Sequence, residues 1–444
     1  MSSVWFRDFQ DKTRATYWYL PLLMSLLGAI LAIVFYWISQ LLPSSLLNSW
    51  RLLPSMTTVD SARSALTTIG ETTIGVIGVV FSITLVPLTI ASSQYGSVIM
   101  RCFMRDRATQ LVLGAYGATT FYSLILMTIL SPGTVLSNAR LPVGVGFCML
   151  LLDLVILFYF IHHVADSLQA ASVIEVISKE LEDVIKEYPL ARAIDTFDSR
   201  QTEVNVLRDT VLREGKAIMS DGEGYVRAID YSKLMRIAVN SKSVLYLRKQ
   251  SGDFVSRGDQ LLLAYPGPLD EGVVSNVNRA YFLGGNRTLY QDAEYGIYII
   301  VTIAVRALSQ AINDPVTPSM CLNRMGAALG MLAERINPSP YFCDKENQLR
   351  IIGDPVSFER LVGVAFNMIR EYGRGNAEVL MKMLETIRIV SAHARTEAQR
   401  RALLKHATLI EHDSHIGLAS EYDQQRVKDS YDEALKAIGL TDGR

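Results

Sequence analysis

Four long apolar stretches, Tyr17 to Leu42, Thr73 to Ala91, Thr109 to Leu130 and Leu141 to Ile161, crowd into the first 165 residues of this 444-residue chain. A hydrocarbon layer about 30 Å thick is crossed by about 20 apolar residues in a helix, because only a helix satisfies its own backbone polar groups there. Each stretch meets that requirement. The second is diluted by Gly, Ser, Thr and Pro87, so apolarity alone also fits a buried helix. The first is too long for the apolar part of a cleaved signal peptide. From Asp166 onward Lys, Arg, Asp and Glu recur every few residues, as on a solvated surface. The fold class expected is an α-helical membrane protein with four transmembrane helices, followed by a cytoplasmic α+β region.

Basic residues orient the spans. Arg7, Lys12 and Arg14 precede the first, and Arg101, Arg105 and Arg107 lie between the second and third, against Arg51, Arg63 and Arg140 on the other side. Positive charge favours the cytoplasmic face, which places both termini in the cytoplasm. Tyr17, Trp18 and Tyr19 at one end of the first span and Phe35, Tyr36 and Trp37 at the other suit interfacial anchors.

Net charge is -1, so nothing supplies the concentrated positive charge that nucleic acid requires. Cys102, Cys148, Cys321 and Cys343 have no close-spaced pairing, which argues against a disulfide framework or a Cys-based zinc site.

Four segments follow one another along the chain. Residues 1–165 carry the spans. Residues 166–216 form connecting helices, where VIEVISKELEDVIK (Val173 to Lys186) continues the fourth span as a stalk. Residues 217–285 form a small β domain punctuated by Gly222, Gly224, Gly252 and Gly258. Its SGDFVSRGDQLL resembles a biotinyl or lipoyl hairpin but has no lysine at the tip, so a barrel-like module without a cofactor is expected. Residues 286–444 form a helical domain.

Several strings, in order, resemble a family of bacterial membrane proteins known as domain of unknown function 2254: VVFSITLVPLTIASSQYG, FMRDR, FIHHVADSLQ and RTLYQDAEYGIYIIVTIAVRALSQAINDPVTP. The chain departs at Gln310, where the family has proline. The resemblance implies an architecture in the bacterial inner membrane and no established chemistry.

At 100° per residue, Glu71, Gly75, Gly78, Ser82, Thr89 and Ser93 share one narrow face of the second span, interrupted by Val86. Such a face suits close helix packing or a water-filled path shared by subunits, with Glu71 as a carboxylate ring; an exposed position near the helix start also suits Glu71. Pro87 crowds the carbonyl of Ile83 and is expected to bend the helix. Asp153 interrupts LLLDLVILFYF, so it faces the bundle or carries a proton, with a Ser or Thr of another span as one partner and a role in ion or proton passage as the alternative. His162 and His163 share helix faces with Asp166 and suit interfacial anchoring or contact with the Arg105–Arg107 loop; no third metal ligand is placed. In the soluble half, Arg287, Asp292 and Arg306 are candidates for an anion or nucleotide site, while Asn313, Asp314 and Pro315 read first as a helix stop or cap. His393, His406, His412 and His415 read as solvated.

No Walker loop, GxSxG, HExxH or GxGxxG after a strand is present, so no catalytic residue, metal or cofactor is assigned. Two functions remain: a homo-oligomeric channel or transport-like protein with its path along the second span, or a non-conducting membrane-anchored scaffold or sensor. In either case the lipid bilayer is a partner, and the ion or small-molecule ligand is not specified by the sequence.

Overall fold

The computed structural model describes residues 18–42, 58–95, 106–130, 136–167, 169–187, 201–267, 269–335, 341–353 and 356–439. They fall into two compact units, one within Arg7–Ser172 and the other within Val173–Arg444.

The first unit is a bundle of α1 (Tyr19–Leu41), α2 (Val59–Tyr95), α3 (Arg107–Ile129) and α4 (Leu136–Ser167). All four are long and apolar enough to cross a membrane. Helix α3 is the central one: 67% of its apolar window is buried, against 17% for α1. Its composition explains this, since Gly114, Gly117 and Ala118 let α1 approach closely. A Cβ added at Gly28 of α1 would overlap the Ala118 carbonyl, and one at Gly117 would meet the Ser25 hydroxyl. Small residues at such contacts maximise packing where lipid removes any hydrophobic drive between helices. We expect Gly28→Val to destabilise the bundle by about 2 kcal/mol through overpacking, read as a lower melting temperature and a smaller monodisperse fraction in detergent. The outer surface is apolar, with Leu26 and Ile30 of α1 and Leu151, Val155 and Phe158 of α4 exposed.

The second span differs most from its expected limits. Helix α2 begins at Val59, well before Thr73, and its backbone stays helical through Pro87. Polar residues lower the hydropathy of its first turns, but Ala62, Leu66 and Ile69 on the opposite face are buried, and this packing carries the helix. The segment from Pro43 to Gly70, expected as a loop or amphipathic hairpin on the bilayer surface, is corrected from Val59 onward, where it is part of α2; residues 43–57 lie outside the described residues.

In the second unit, α5 (Ala170–Glu187) is not a free stalk. Ile174, Ile177, Leu181 and Ile185 are buried, Leu181 packs against Gly296, and Arg335 donates to the Ile185 carbonyl at 2.8 Å. After α6 (Gln201–Glu214) come β1 (Lys216–Met219), β2 (Gly224–Ile229), α7 (Tyr231–Asn240), β3 (Val244–Leu247), β4 (Phe254–Val255), β5 (Gln260–Tyr265), α8 (Glu271–Asn278) and β6 (Tyr281–Gly284). The helices α9 (Ala293–Ala307) and α10 (Val316–Arg335) follow, then β7 (Tyr341–Cys343) and β8 (Leu349–Ile352). Helices α11 (Phe358–Gly373), α12 (Ala377–Ser391), α13 (Glu397–Gly417) and α14 (Glu421–Ile438) complete the order.

The strands form two open sheets, β1-β5-β3-β8-β7 and β4-β2-β6, over one core that includes Ile218, Val226, Leu245, Leu262 and Ile351. The barrel-like expectation is therefore corrected: among the described residues no sheet closes. Strand β8 arrives from beyond the expected β segment and pairs parallel with β3, a long-range contact that local turn signals do not encode. Gly252 and Gly258, with φ of 94° and 87°, make the two Gly-Asp turns that the sequence suggested.

Candidate functional site

The polar face of α2 points away from its own bundle. Glu71, Gly75, Gly78, Ser82 and Thr89 are exposed, and no atom lies within 4 Å of a Cβ added at Gly75 or Gly78. The hydroxyls of Ser82 and Thr89 donate to the carbonyls of Gly78 and Leu85 at 3.0 and 2.9 Å. Ser64 and Thr68, also exposed, extend the same face; a span taken to begin at Thr73 hid them. Ser93 lies in the last turn of α2, its side chain outside the described residues. Close packing inside one subunit is thus not what this face does.

Glu71 is not in the first turn of its helix. Thr73 and Thr120 share a hydroxyl hydrogen bond at 2.8 Å, and Thr67 bonds the Met127 sulfur at 3.1 Å, which sets the antiparallel register of α2 against α3. Glu71 is therefore level with Tyr122 and Ser123, roughly 10 Å inside the Ile129 end of α3 at 1.5 Å per residue. An exposed carboxylate at that depth costs about 2–3 kcal/mol against lipid.

Asp153 turns inward from α4 and is 2% exposed, between exposed Leu152 and Leu154. Thr119 of α3 lies beside its carboxyl, with the Thr119 hydroxyl donating to the Ala115 carbonyl at 3.2 Å. The Tyr116 hydroxyl donates at 2.9 Å to the Asp153 main-chain carbonyl instead of its carboxylate. Oδ2 of Asp153 and Oγ of Ser123 are buried without a partner.

At the other end of the bundle, His163 meets Asp106 at 3.0 Å, stacked on Tyr159. Asp106 also caps α3, accepting from the Ala108 and Thr109 amides and the Thr109 hydroxyl. The contact with the Arg105–Arg107 loop is thus made by its aspartate, while Arg105 lies outside the described residues. His162 faces outward, 3.3 Å from Asp166. Among the described residues no three His, Cys, Asp or Glu side chains gather as a metal site.

The soluble candidates do not converge. Arg287 pairs with Asp292 through Nε and Nη2 at 2.9 and 3.0 Å and lies over the Tyr295 ring. Glu294 links the pair to Arg360 at 2.5 Å. Asp292 also accepts from the Tyr295 amide, capping α9. Burial pushes its carboxyl up and prevails over Arg287, which pulls it down. Gln291 ties this turn to β2, accepting from the Ile229 amide and donating to its carbonyl. Arg306 is at the far end of α9, about 20 Å along the helix, so it does not join Arg287 in one site. Asn313 takes φ of 48° as the chain leaves α9. Asp314 caps α10 through the Val316 and Thr317 amides and the Thr317 hydroxyl. Burial opposes its ionisation, yet those bonds hold its carboxyl below the usual range.

One histidine was misread. His406 is 3% exposed, with Nδ1 buried and unpartnered. Burial first, then Lys405 and Arg370, lower it to about 4, against a smaller opposing effect of Glu359. The spacing held the signal: Ala402, Leu403, Ala407 and Ile410 are buried on the same face of α13. His406 borders a groove of about 690 Å³ with Tyr298, Arg360, Asn367, Met368 and Lys405. His393 and His415 sit at the surface, bonded to Glu334 and Glu411.

Four apolar helices in one compact unit and a charged second unit define an integral membrane protein with a large extramembrane portion. Residues 14–388 match the family described as predicted membrane protein, DUF2254, and the chain belongs to that family. It is similar to uncharacterised proteins of Mycobacterium bovis and Mycobacterium tuberculosis, each 27% identical over 380 residues that cover 83% of this chain and 71% of the relative. No solved structure matches it.

Proposed function

We propose that the protein is a homo-oligomeric channel or transport-like protein of the bacterial inner membrane, its subunits meeting through α2 around a shared ion path, with both termini in the cytoplasm. One observation carries this reading: Glu71 is exposed at membrane depth on a face its own bundle leaves uncovered. Lipid is a poor neighbour for a carboxylate, whereas water in a path between copies solvates it and makes a ring attractive to cations. The self-bonded Ser82 and Thr89 hydroxyls keep oxygen lone pairs for passing ions.

The test is ion flux and single-channel recording with purified protein in liposomes. Glu71→Gln is expected to lower cation conductance several-fold and Ser82→Leu to abolish it, with subunit number unchanged. Silence of the wild type under voltage, tension and pH steps would overturn the path. The second reading, a non-conducting scaffold or sensor, is favoured by the His406 groove, which is large enough for a small molecule.

A further inference from the structure

A carboxylate buried at mid-membrane needs a neutralising partner, because an ionised group in low dielectric is costly. Asp153 lies ten residues before His163 on α4, about 15 Å from the end of the bundle where His163 meets Asp106. Among the described residues no cation pairs with it, and the titratable side chain facing it is Tyr116. Tyr116 has one hydroxyl proton, given to the Asp153 main-chain carbonyl. Thr119 likewise has one, given to the Ala115 carbonyl at 3.2 Å. With both protons committed to main-chain carbonyls, neither hydroxyl neutralises the Asp153 carboxylate, whose Oδ2 is buried without a partner.

We propose that Asp153 is an exchangeable proton-binding site inside each subunit, distinct from the face of α2. The bound species is a proton because a bare metal cation requires about six oxygen ligands, and here the side chains supply the Asp153 carboxylate and the Thr119 hydroxyl. Protonation is balanced in itself: a carboxylate and a proton give the acid. The exchange route is on α3. Ser123, whose buried Oγ has no partner, stands one turn beyond Thr119 toward the Ile129 end, and hydroxyls both accept and donate protons. The site holds whether or not α2 lines an ion path.

The test is infrared difference spectroscopy of full-length protein in liposomes, wild type minus Asp153→Asn. The expected result is a protonated-carboxyl band that gives way to a carboxylate band as pH rises, shifts in heavy water, persists in Asp153→Glu and is unchanged by Glu71→Gln. If Asp153→Asn does not fold, ¹³C-aspartate labelling of the wild type must move the same band. Absence of the band at every pH, or a band that neither titrates nor shifts in heavy water, would overturn the proposal. Loss of conductance in Glu71→Gln with the Asp153 band intact would separate the two sites.

Discussion

Replacing Asp292 with alanine is expected to destabilise the second unit by about 3 kcal/mol, combining a lost helix cap with a cation stripped of its main partner. The carboxylate accepts from the Tyr295 amide and holds Arg287 at two points. Without it the first turn of α9 keeps an unmet donor, and Arg287 retains Glu294 at 3.7 Å, already engaged by Arg360. Gly252, where an added Cβ would overlap the carboxylate, leaves an opening beside the guanidinium instead of a replacement ligand. Asp292→Asn should cost much less. Its amide oxygen still caps the helix, and because burial outweighs Arg287 in raising the carboxyl, the fold gains little from the charge itself. Hydrogen exchange in full-length protein checks both: α9 amides should open about 100-fold more readily in Asp292→Ala, the equivalent of 3 kcal/mol, and near the wild-type rate in Asp292→Asn.

Acidification should destabilise the α11 and α13 pair through His406. The ordinary histidine value of 6.5 falls to about 4 in the fold, so the folded state favours the neutral ring. The stabilising contribution is complete above pH 6.5 and is lost as pH falls toward 4, when the unfolded chain binds the proton first. The full difference is about 3 kcal/mol. Lys405 and Arg370 add to the effect of burial, and Glu359 offsets part of it. In His406→Leu, which also removes the unpartnered Nδ1, α13 amides should no longer open more readily between pH 6.5 and 4 beyond the intrinsic change. An unchanged acid response in that variant would assign the sensitivity to carboxylates instead.

The four spans were legible because apolar length is a local property: the first and third came within two residues of the helix limits, while the fourth helix extends beyond the expected span at both ends. The second was misjudged at its start, where Arg63, Thr68 and Glu71 dilute a helix whose buried face is continuous. Asp153 was legible for a similar reason: a lone carboxylate in an apolar run has few places to go, and it turns inward, away from the exposed Leu152 and Leu154. Asp314 as a cap followed from Asn-Asp-Pro. His406 was lost because the polar residues of α13 outnumber the apolar stripe on which it lies, and the barrel was expected from SGDFVSRGDQLL, a local resemblance that carries no sign of β8 joining β3 from far along the chain.

Membership in the membrane class, the span number, the inward carboxylate and the Gly-Asp turns were determined by the sequence alone, since each depends on residues within a few turns of one another. Tertiary structure decided that α3 is the bundle's centre, that the polar face of α2 is left uncovered, that Arg287 is held by Asp292 and separated from Arg306, and that the sheets stay open. Each of these depends on which surfaces meet across long stretches of chain, and hydropathy and spacing describe a surface without naming its partner.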